Sequence, residues 1–446
     1  MASPWQRTEW LPLTLGQLDF WQEYRAHRGK SVSTVAHLTR LHGDLDHAAL
    51  SVAIRDCIAE SDVMCLRFRE RDGFPEQMID PALAPVLREM DLRGETDPDG
   101  RARSMMQEDL DRPLDLLTGP LVAQWLVRTG DKDWMWYCRG HHIFLDGYSM
   151  ALIERRVARL YAHHAGGDDP GDPFLPFPEY LREESEYRVS DRHASDGAFW
   201  QDRIAEAPRL VVLDKGSEDY PQTQRCAETD LHHLSAPLQS TGERFAMGWP
   251  DMLTLLTGLW LWGHPDSDRG LAFTDRVIWL PFQSRMGSVG SRIPAMAVNI
   301  LPFRVTADPT HDLTQTLRTM ARDLRKHRRH GRYRIEQITL DQGIAAGRRY
   351  FFSPLINVMP FDPPRLPGAD IRQEVLAAGP GDGLNIGFAA DSRGDGLMLY
   401  LEADPRLTSD ALFRHHTDGL PRFLQQCLCD DDGAATLQEL LRLSPA

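Results

Sequence analysis

Residue types and spacings suited to chemistry concentrate in one heptapeptide, His141-His142-Ile143-Phe144-Leu145-Asp146-Gly147. A histidine fixed at a strand end and presented to a cleft can do acid–base work. Adjacent side chains on an extended segment point opposite ways, so only one of His141 and His142 can face a given cavity. Asp146, four residues after His142, can fold back as a structural counter-charge, and Gly147 lets the backbone turn tightly. The plain alternative is a surface histidine pair followed by a turn. Three further pairs, His163-His164, His232-His233 and His415-His416, give the pair alone little weight. His415-His416-Thr417-Asp418-Gly419 imitates the heptapeptide, but its aspartate is two residues from the second histidine. It lies in a C-terminal helical pattern and reads as solvated or capping.

The elements that must hold the heptapeptide are an aromatic strand before it (Trp134, Trp136, Tyr137) and a helix over 149–164 after it. That helix buries Leu152, Val157, Leu160 and Tyr161. Upstream, the spacing predicts a helix over 13–27, a strand over 33–41, a helix over 46–60 and a hairpin around Arg71-Asp72-Gly73. A breaker-rich stretch, Gly166 to Pro173, reads as an inter-lobe linker. Beyond it a second mixed set follows: helices over 251–262, 313–327 and 409–427, with strands near 272–280, 298–305, 355–359, 384–388 and 397–401. Interleaved strands and helices in both halves define a mixed α/β (α+β) class.

The chain has 446 residues, above the ~250–300 at which single cores stop growing, so two lobes are expected, over 1–172 and 173–446. Lys+Arg is 50 against Asp+Glu 65, a net charge of −15 that argues against nucleic-acid and anionic-membrane partners. No apolar run is long enough to span a membrane, and Met1 to Arg7 lacks a signal-peptide core, so a cytoplasmic location is expected. Six cysteines are too sparse for a disulfide scaffold, and Cys427 and Cys429 carry no metal expectation.

An HHxxxDG motif after a strand, in a two-lobed chain of this length, resembles the condensation domains of nonribosomal peptide synthetases. Other stretches match in the family's order. Leu11 to Trp21 looks like the opening motif with its Gln17 and Trp21, and Val63 to Phe68 sits at the "LRxxF" segment. Pro281-Phe282 through Asn299-Ile300-Leu301-Pro302 resembles the floor-loop region; Arg329 to Tyr333 and Ser353 to Val358 match late motifs. The resemblance covers roughly residues 10–430. The histidines exclude the heterocyclising DxxxxDxxS pattern, Leu41-His42-Gly43-Asp44 does not match the second histidine motif of dual epimerising members, and the plant-type DFGWG segment is absent.

The resemblance implies two chloramphenicol-acetyltransferase-like lobes forming a V-shaped pseudodimer with a tunnel, the second lobe carrying floor loop and latch. It implies amide-bond formation between a donor acyl thioester and an acceptor aminoacyl group. Both ride on phosphopantetheine arms of carrier proteins; no bound cofactor, metal or covalent intermediate is required. His142 is the candidate catalytic group, as base, oxyanion stabiliser or positioner of the amine. The Gly147 backbone N–H is a possible oxyanion donor, His141 a packed support and Asp146 structural. Ser149, Asn299, Ser353 and Asn357 are expected along the tunnel. The family's usual arginine aligns with Cys65; Arg67, two residues on and on the same strand face, can replace it beside Asp146 or serve as a surface residue.

The nearest likeness within the family is to first condensation domains such as that of enterobactin synthetase and to lipid-initiating starter domains. It rests on Tyr333 to Ile338, on Ala377 to Leu384, and on Met1 lying about ten residues before the opening motif. The expectation is therefore a monomer served by an acyl- or aryl-carrier protein in trans, with downstream adenylation and peptidyl-carrier domains, in siderophore-type biosynthesis. An aryl donor is favoured over fatty-acyl and peptidyl donors. A stand-alone ester or amide synthase and a non-catalytic recruitment domain are the other readings. The stretch Leu440 to Ala446 reads as the start of a linker. Arg318, Arg322, Arg325, Lys326, Arg328, Arg329, Arg332 and Arg334 form the densest basic patch, read as a carrier-docking surface or as a solvated helix end.

Overall fold

A computed structural model describes residues 9–217, 220, 223–345, 347–379, 381–429 and 435–442. The segments Met1 to Arg7 and Leu443 to Ala446, and Pro380, lie outside the described residues. The chain divides into two units. The first holds Met1–His193 together with Gln283–Val298 and Pro363–Pro380; the second holds Ala194–Phe282, Asn299–Asp362 and Gly381–Ala446. This differs from the expected division at residue 172. The Gly166 to Pro173 stretch is a loop within the first unit, followed there by the helix Phe177–Arg188. Two later segments return to the first unit because one supplies a strand and the other a buried arginine.

The first unit is built on a five-stranded sheet in the order Ala369–Ala378, Thr34–Gly43, Asp133–His141, Ala123–Arg128, Leu87–Asp91. Asp133–His141 is buried on both faces, which is why it reads as a run of large residues rather than a polar alternation. Trp134, Trp136 and Cys138 enter the larger core, which also includes Leu50, Ile54, Cys57, Ile153 and Val157 from the helices His47–Glu60 and Gly147–Gly166. Met135 and Tyr137 point the other way, against Ala102 and Met106 of the helix Pro98–Leu110. Each such fully buried large side chain contributes roughly 1.5–3 kcal/mol. The helix Leu15–Ala26 begins with a reciprocal Thr14/Gln17 capping box, and the Gln17 amide also bonds Gln77 at 2.8 Å.

The second unit holds a six-stranded mixed sheet in the order Asn299–Val305, Arg276–Phe282, Leu355–Pro360, Leu384–Ala390, Met398–Ala403, Arg225–Asp230. The helix Trp249–Gly263 is buried around almost its whole circumference, as its predominantly apolar sequence requires. One expectation fails here. His416 is not solvated: it is fully buried, its Nδ1 accepts from Trp260 Nε1–H at 3.0 Å, and its Nε2 donates to Pro265 O at 2.9 Å. Its helical position points inward, and neutral imidazole can satisfy both bonds.

Among the described residues no helix is long and apolar enough to cross a membrane.

Candidate active site around His142

His141 ends its strand, and three apolar residues, Ile143, Phe144 and Leu145, plug the following turn into the core at 1% exposure or less. The turn is therefore fixed by packing, and the histidines on one side and Asp146 on the other are its polar points. His141 is buried. Its Nδ1 accepts the Ile143 N–H at 3.0 Å, which puts the ring proton on Nε2, and burial pushes its pKa down to about 3. It is a buried, neutral group.

The His142 backbone N–H donates to Ser33 O at 2.7 Å, extending the ladder one residue past the strand end. Its half-buried ring stacks on Phe20, with centroids 4.8 Å apart and planes 14° off parallel. Nδ1 is buried with no hydrogen-bond partner of acceptable geometry. Burial lowers the His142 pKa, against the pull of the Asp146 charge and of nearby backbone carbonyls. The imidazole is thus neutral at neutral pH, the form that can take a proton.

Asp146 caps the helix Gly147–Gly166 and is 2% exposed. Its Oδ1 accepts the Ser149 N–H at 2.8 Å and lies 2.7 Å from Ser149 Oγ; its Oδ2 accepts the N–H groups of Ala297 and Val298 at 2.9 and 3.0 Å. Arg285 Nη2 lies 2.9 Å from both oxygens. Burial raises the carboxyl pKa, but the Arg285 charge and the Ala297 and Ser149 hydrogen bonds outweigh it and hold it at about 2. Arg285 also donates to the carbonyls of Gly290, Ile293 and Ala295, so one guanidinium gathers its own loop onto the carboxylate.

This corrects the Arg67 expectation. Arg67 pairs with Asp80, Nε to Oδ2 at 2.8 Å, at the far end of its own hairpin. That hairpin belongs to a separate three-stranded sheet, and its strand begins only at Leu66, Cys65 ending a short 3-10 helix, so the expected shared strand face does not exist. Sequence reasoning passed over Arg285; it lies inside the floor-loop region, and no spacing there singles it out.

The expected tunnel residues separate. Ser149 is fully buried in the Asp146 cluster, with Oγ also 2.8 Å from Ala295 O. Asn299 is 1% exposed and satisfied within the second unit: its Nδ2 donates to Gly331 O and Tyr333 O at 2.9 and 2.8 Å, and its Oδ1 accepts Ile335 N–H at 3.0 Å. Both are buried, with their polar atoms taken up by neighbouring groups of their own unit. Ser353 Oγ accepts the Leu384 N–H at 2.9 Å and is half-buried. Asn357 is half-buried on the strand Leu355–Pro360, with no side-chain partner among the described residues.

Gly147 is exposed at the first helical position, where backbone N–H groups lack intrahelical acceptors. Its φ is not in the left-handed region, and a Cβ there would meet nothing within 4 Å. Glycine is therefore not demanded by the turn, contrary to expectation; it leaves open space over a free donor. Among the described residues there is no cluster of three or more His, Cys, Asp or Glu able to hold a metal ion.

A family profile described as Condensation domain matches residues 8–363. The chain belongs to the condensation domain family. It is 30% identical over 436 residues to a dimodular nonribosomal peptide synthase of Bacillus subtilis (strain 168), covering 96% of this chain and 18% of that one. It is 31% identical over 432 residues to enterobactin synthase component F of Escherichia coli (strain K12), covering 94% of this chain and 32% of that one. The chain thus spans less than a third of the length of either relative. Among solved structures, VibH, a nonribosomal peptide synthetase condensation enzyme, superposes with TM-score 0.84 at 32% identity, covering 97% and 99% of the two chains. The starter condensation domain of rhizomide synthetase RzmA, in complex with C8-CoA, gives 0.82 at 27%, covering 97% of both. The fold is the chloramphenicol acetyltransferase-like one, and condensation domains are amide-bond-forming acyltransferases of nonribosomal peptide synthesis.

Proposed function

We propose that this condensation domain joins a donor acyl thioester to the amine of an aminoacyl thioester, both delivered on phosphopantetheine arms of carrier proteins. The observation that carries this reading is the state of the HHxxxDG loop. His142 is neutral and adjacent to the open first turn of a helix, while the Asp146 charge is already taken up by Arg285. A free aspartate beside the base would instead favour imidazolium.

A thioester is already activated, so the demands are positioning and one proton relocation. The neutral amine adds to the thioester carbonyl, and the carbonyl electron pair moves to oxygen. The Gly147 N–H and the positive end of the helix Gly147–Gly166 are suited to that oxyanion. His142 accepts the proton the amine loses. Collapse expels the carrier thiolate, which takes the proton, leaving amide and free thiol. No cofactor enters this sequence.

For the donor, an aryl thioester such as 2,3-dihydroxybenzoyl or salicyl on a separate aryl-carrier protein is favoured, with downstream adenylation and peptidyl-carrier partners in siderophore-type assembly. The likeness to enterobactin synthase component F supports it. The C8-CoA complex of a neighbouring starter domain favours a fatty-acyl donor as the second reading. The test is competition in one tube between aryl-, octanoyl- and dipeptidyl-carrier donors with a single loaded acceptor, followed by intact-protein mass spectrometry. Preferential aryl transfer is expected; preferential octanoyl or dipeptidyl transfer overturns the aryl assignment and leaves the condensation reaction standing.

A further inference from the structure

A histidine that works as a base is ordinarily oriented by a hydrogen bond from its other ring nitrogen. In His142 that bond is poorly made: Nδ1 is buried and makes no hydrogen bond of good geometry, although the carbonyls of His142 and Leu145 lie near the ring. Further contacts are needed to fix the ring, and two outside the HHxxxDG loop qualify. Phe20 covers one face of the imidazole. Gly379 closes an edge. A Cβ built on Gly379 would lie 2.8 Å from His142 Cδ2, against 3.6 Å from Nε2 and 3.9 Å from Cγ. An approach nearest Cδ2 and farther from both ring neighbours is an approach at the ring edge, closer than real Cβ atoms come.

The sheet explains how residue 379 reaches residue 142. Asp133–His141 and Ala369–Ala378 flank Thr34–Gly43 on opposite sides. Both run one residue beyond their strands and bond consecutive residues of the shared neighbour: His142 N–H to Ser33 O at 2.7 Å, Gly379 N–H to Thr34 O at 3.0 Å. The His142 ring crosses the end of the middle strand to meet Gly379. A bulge between Val375 and Ala377 re-aims the incoming strand just before this point. Gly379 then takes φ +81°, which only glycine adopts readily.

We infer that Phe20 and Gly379 are positioning residues for His142, holding its ring by face and edge where its poorly aligned backbone contacts do not. This rests on the role of His142 proposed above. The missing side chain at Gly379 is the space the imidazole occupies. A methyl group there pushes the ring off Phe20 and moves Nε2 away from the amine.

The experiment measures kcat and KM for the loaded acceptor, with whichever of the aryl-, octanoyl- and dipeptidyl-carrier donors the wild-type protein consumes. Gly379→Ala is expected to lower kcat about 10–100-fold, the scale of a misplacement near 1 Å, with KM within about 2-fold. Gly29→Ala is the control for backbone strain. Gly29 has φ +79° and nothing within 4 Å of its Cβ position, and its variant is expected to keep wild-type kcat. Phe20→Leu, which keeps bulk without a flat face, is expected to lower kcat, and Phe20→Tyr to restore it. The Phe20 pair decides the matter if Gly379→Ala does not fold. A folded Gly379→Ala with wild-type kcat, or Phe20→Leu as active as Phe20→Tyr, overturns the inference. His142→Ala separates the two levels. If it is inactive while Gly379→Ala is active, the inference alone fails; if it is fully active, the proposed role of His142 fails and the inference with it.

Discussion

Arg285 Nη2 sits equidistant, at 2.9 Å, from the two carboxylate oxygens of Asp146, and both side chains are at most 3% exposed. The pair is a buried charge couple further bonded by Ser149, Ala295, Ala297 and Val298, with Arg285 Nε left buried and unpartnered. Removing one partner leaves the other charge uncompensated, at a cost of ~3–5 kcal/mol. Arg285→Met and Asp146→Ala are therefore each expected to be strongly destabilised in urea. The double variant Asp146→Ala/Arg285→Met should lose less than the sum of the single changes. Strict additivity would show that the two residues do not act as a couple.

His142→Ala is expected to lose at least ~10²-fold in condensation while keeping its melting temperature. The half-buried ring packs mainly on Phe20 and Gly379, so a large loss of stability with unchanged turnover per folded molecule would mean the histidine is structural.

Acid should act through two other histidines. His141 and His416 are both buried neutral with pKa values of about 3, below the ordinary 6.5. In the unfolded chain they regain a proton as pH falls below 6.5; in the folded chain they do not until about pH 3. Stability is full above pH 6.5 and declines below it by ~1.4 kcal/mol per pH unit per histidine. At pH 5 each group costs about 2 kcal/mol, one in each unit. Urea midpoints flat between pH 8 and pH 5 would contradict the buried neutral assignment.

The activity profile has its own sign. The neutral imidazole of His142 is the proposed working form, and burial lowers its pKa. The acid limb of kcat/KM should therefore have its midpoint below pH 6.5, with a plateau above. Measurement with a loaded acceptor at several pH values, above the pH at which unfolding begins, checks this; a midpoint above 6.5 would mean that the Asp146 charge reaches the ring.

The two asparagines expected to share one role should behave differently. Asn299→Ala strands two carbonyls and one amide and is expected to cost ~2 kcal/mol or more. Asn357→Ala removes no hydrogen bond within the described residues and is expected within about 0.5 kcal/mol of wild type. Parallel thermal melts distinguish them.

What the sequence disclosed followed from local periodicity. The aromatic strand before the motif, the helix after it, and the helices over 46–60, 251–262 and 313–327 could be read because an apolar stripe or run marks them. The strand Ala369–Ala378 could not: facing partly to solvent, it carries Arg372, Glu374 and an exposed Val375 in place of a clean alternation. Arg285 and Gly379 were hidden for a related reason. Their meaning lies in residues 139 and 237 positions away, and nothing in their own neighbourhoods differs from an ordinary loop arginine and turn glycine. Asn299 misled in the opposite sense, because a polar residue at a motif position is as readily a loop anchor as a lining group.

The return of Ala369–Ala378 to pair with Thr34–Gly43 also sets a clock on synthesis. The two strands are 369 − 43 = 326 residues apart. At ~5–20 residues per second, a ribosome exposes the first for roughly 15–65 s before the second is made. Throughout that interval one side of the Thr34–Gly43 strand is an unpaired sheet edge on a nascent chain, a template for pairing with the wrong strand. Slower elongation lengthens that exposure in proportion, so yield should fall rather than rise as translation is slowed, because the gap is written into the order of the strands.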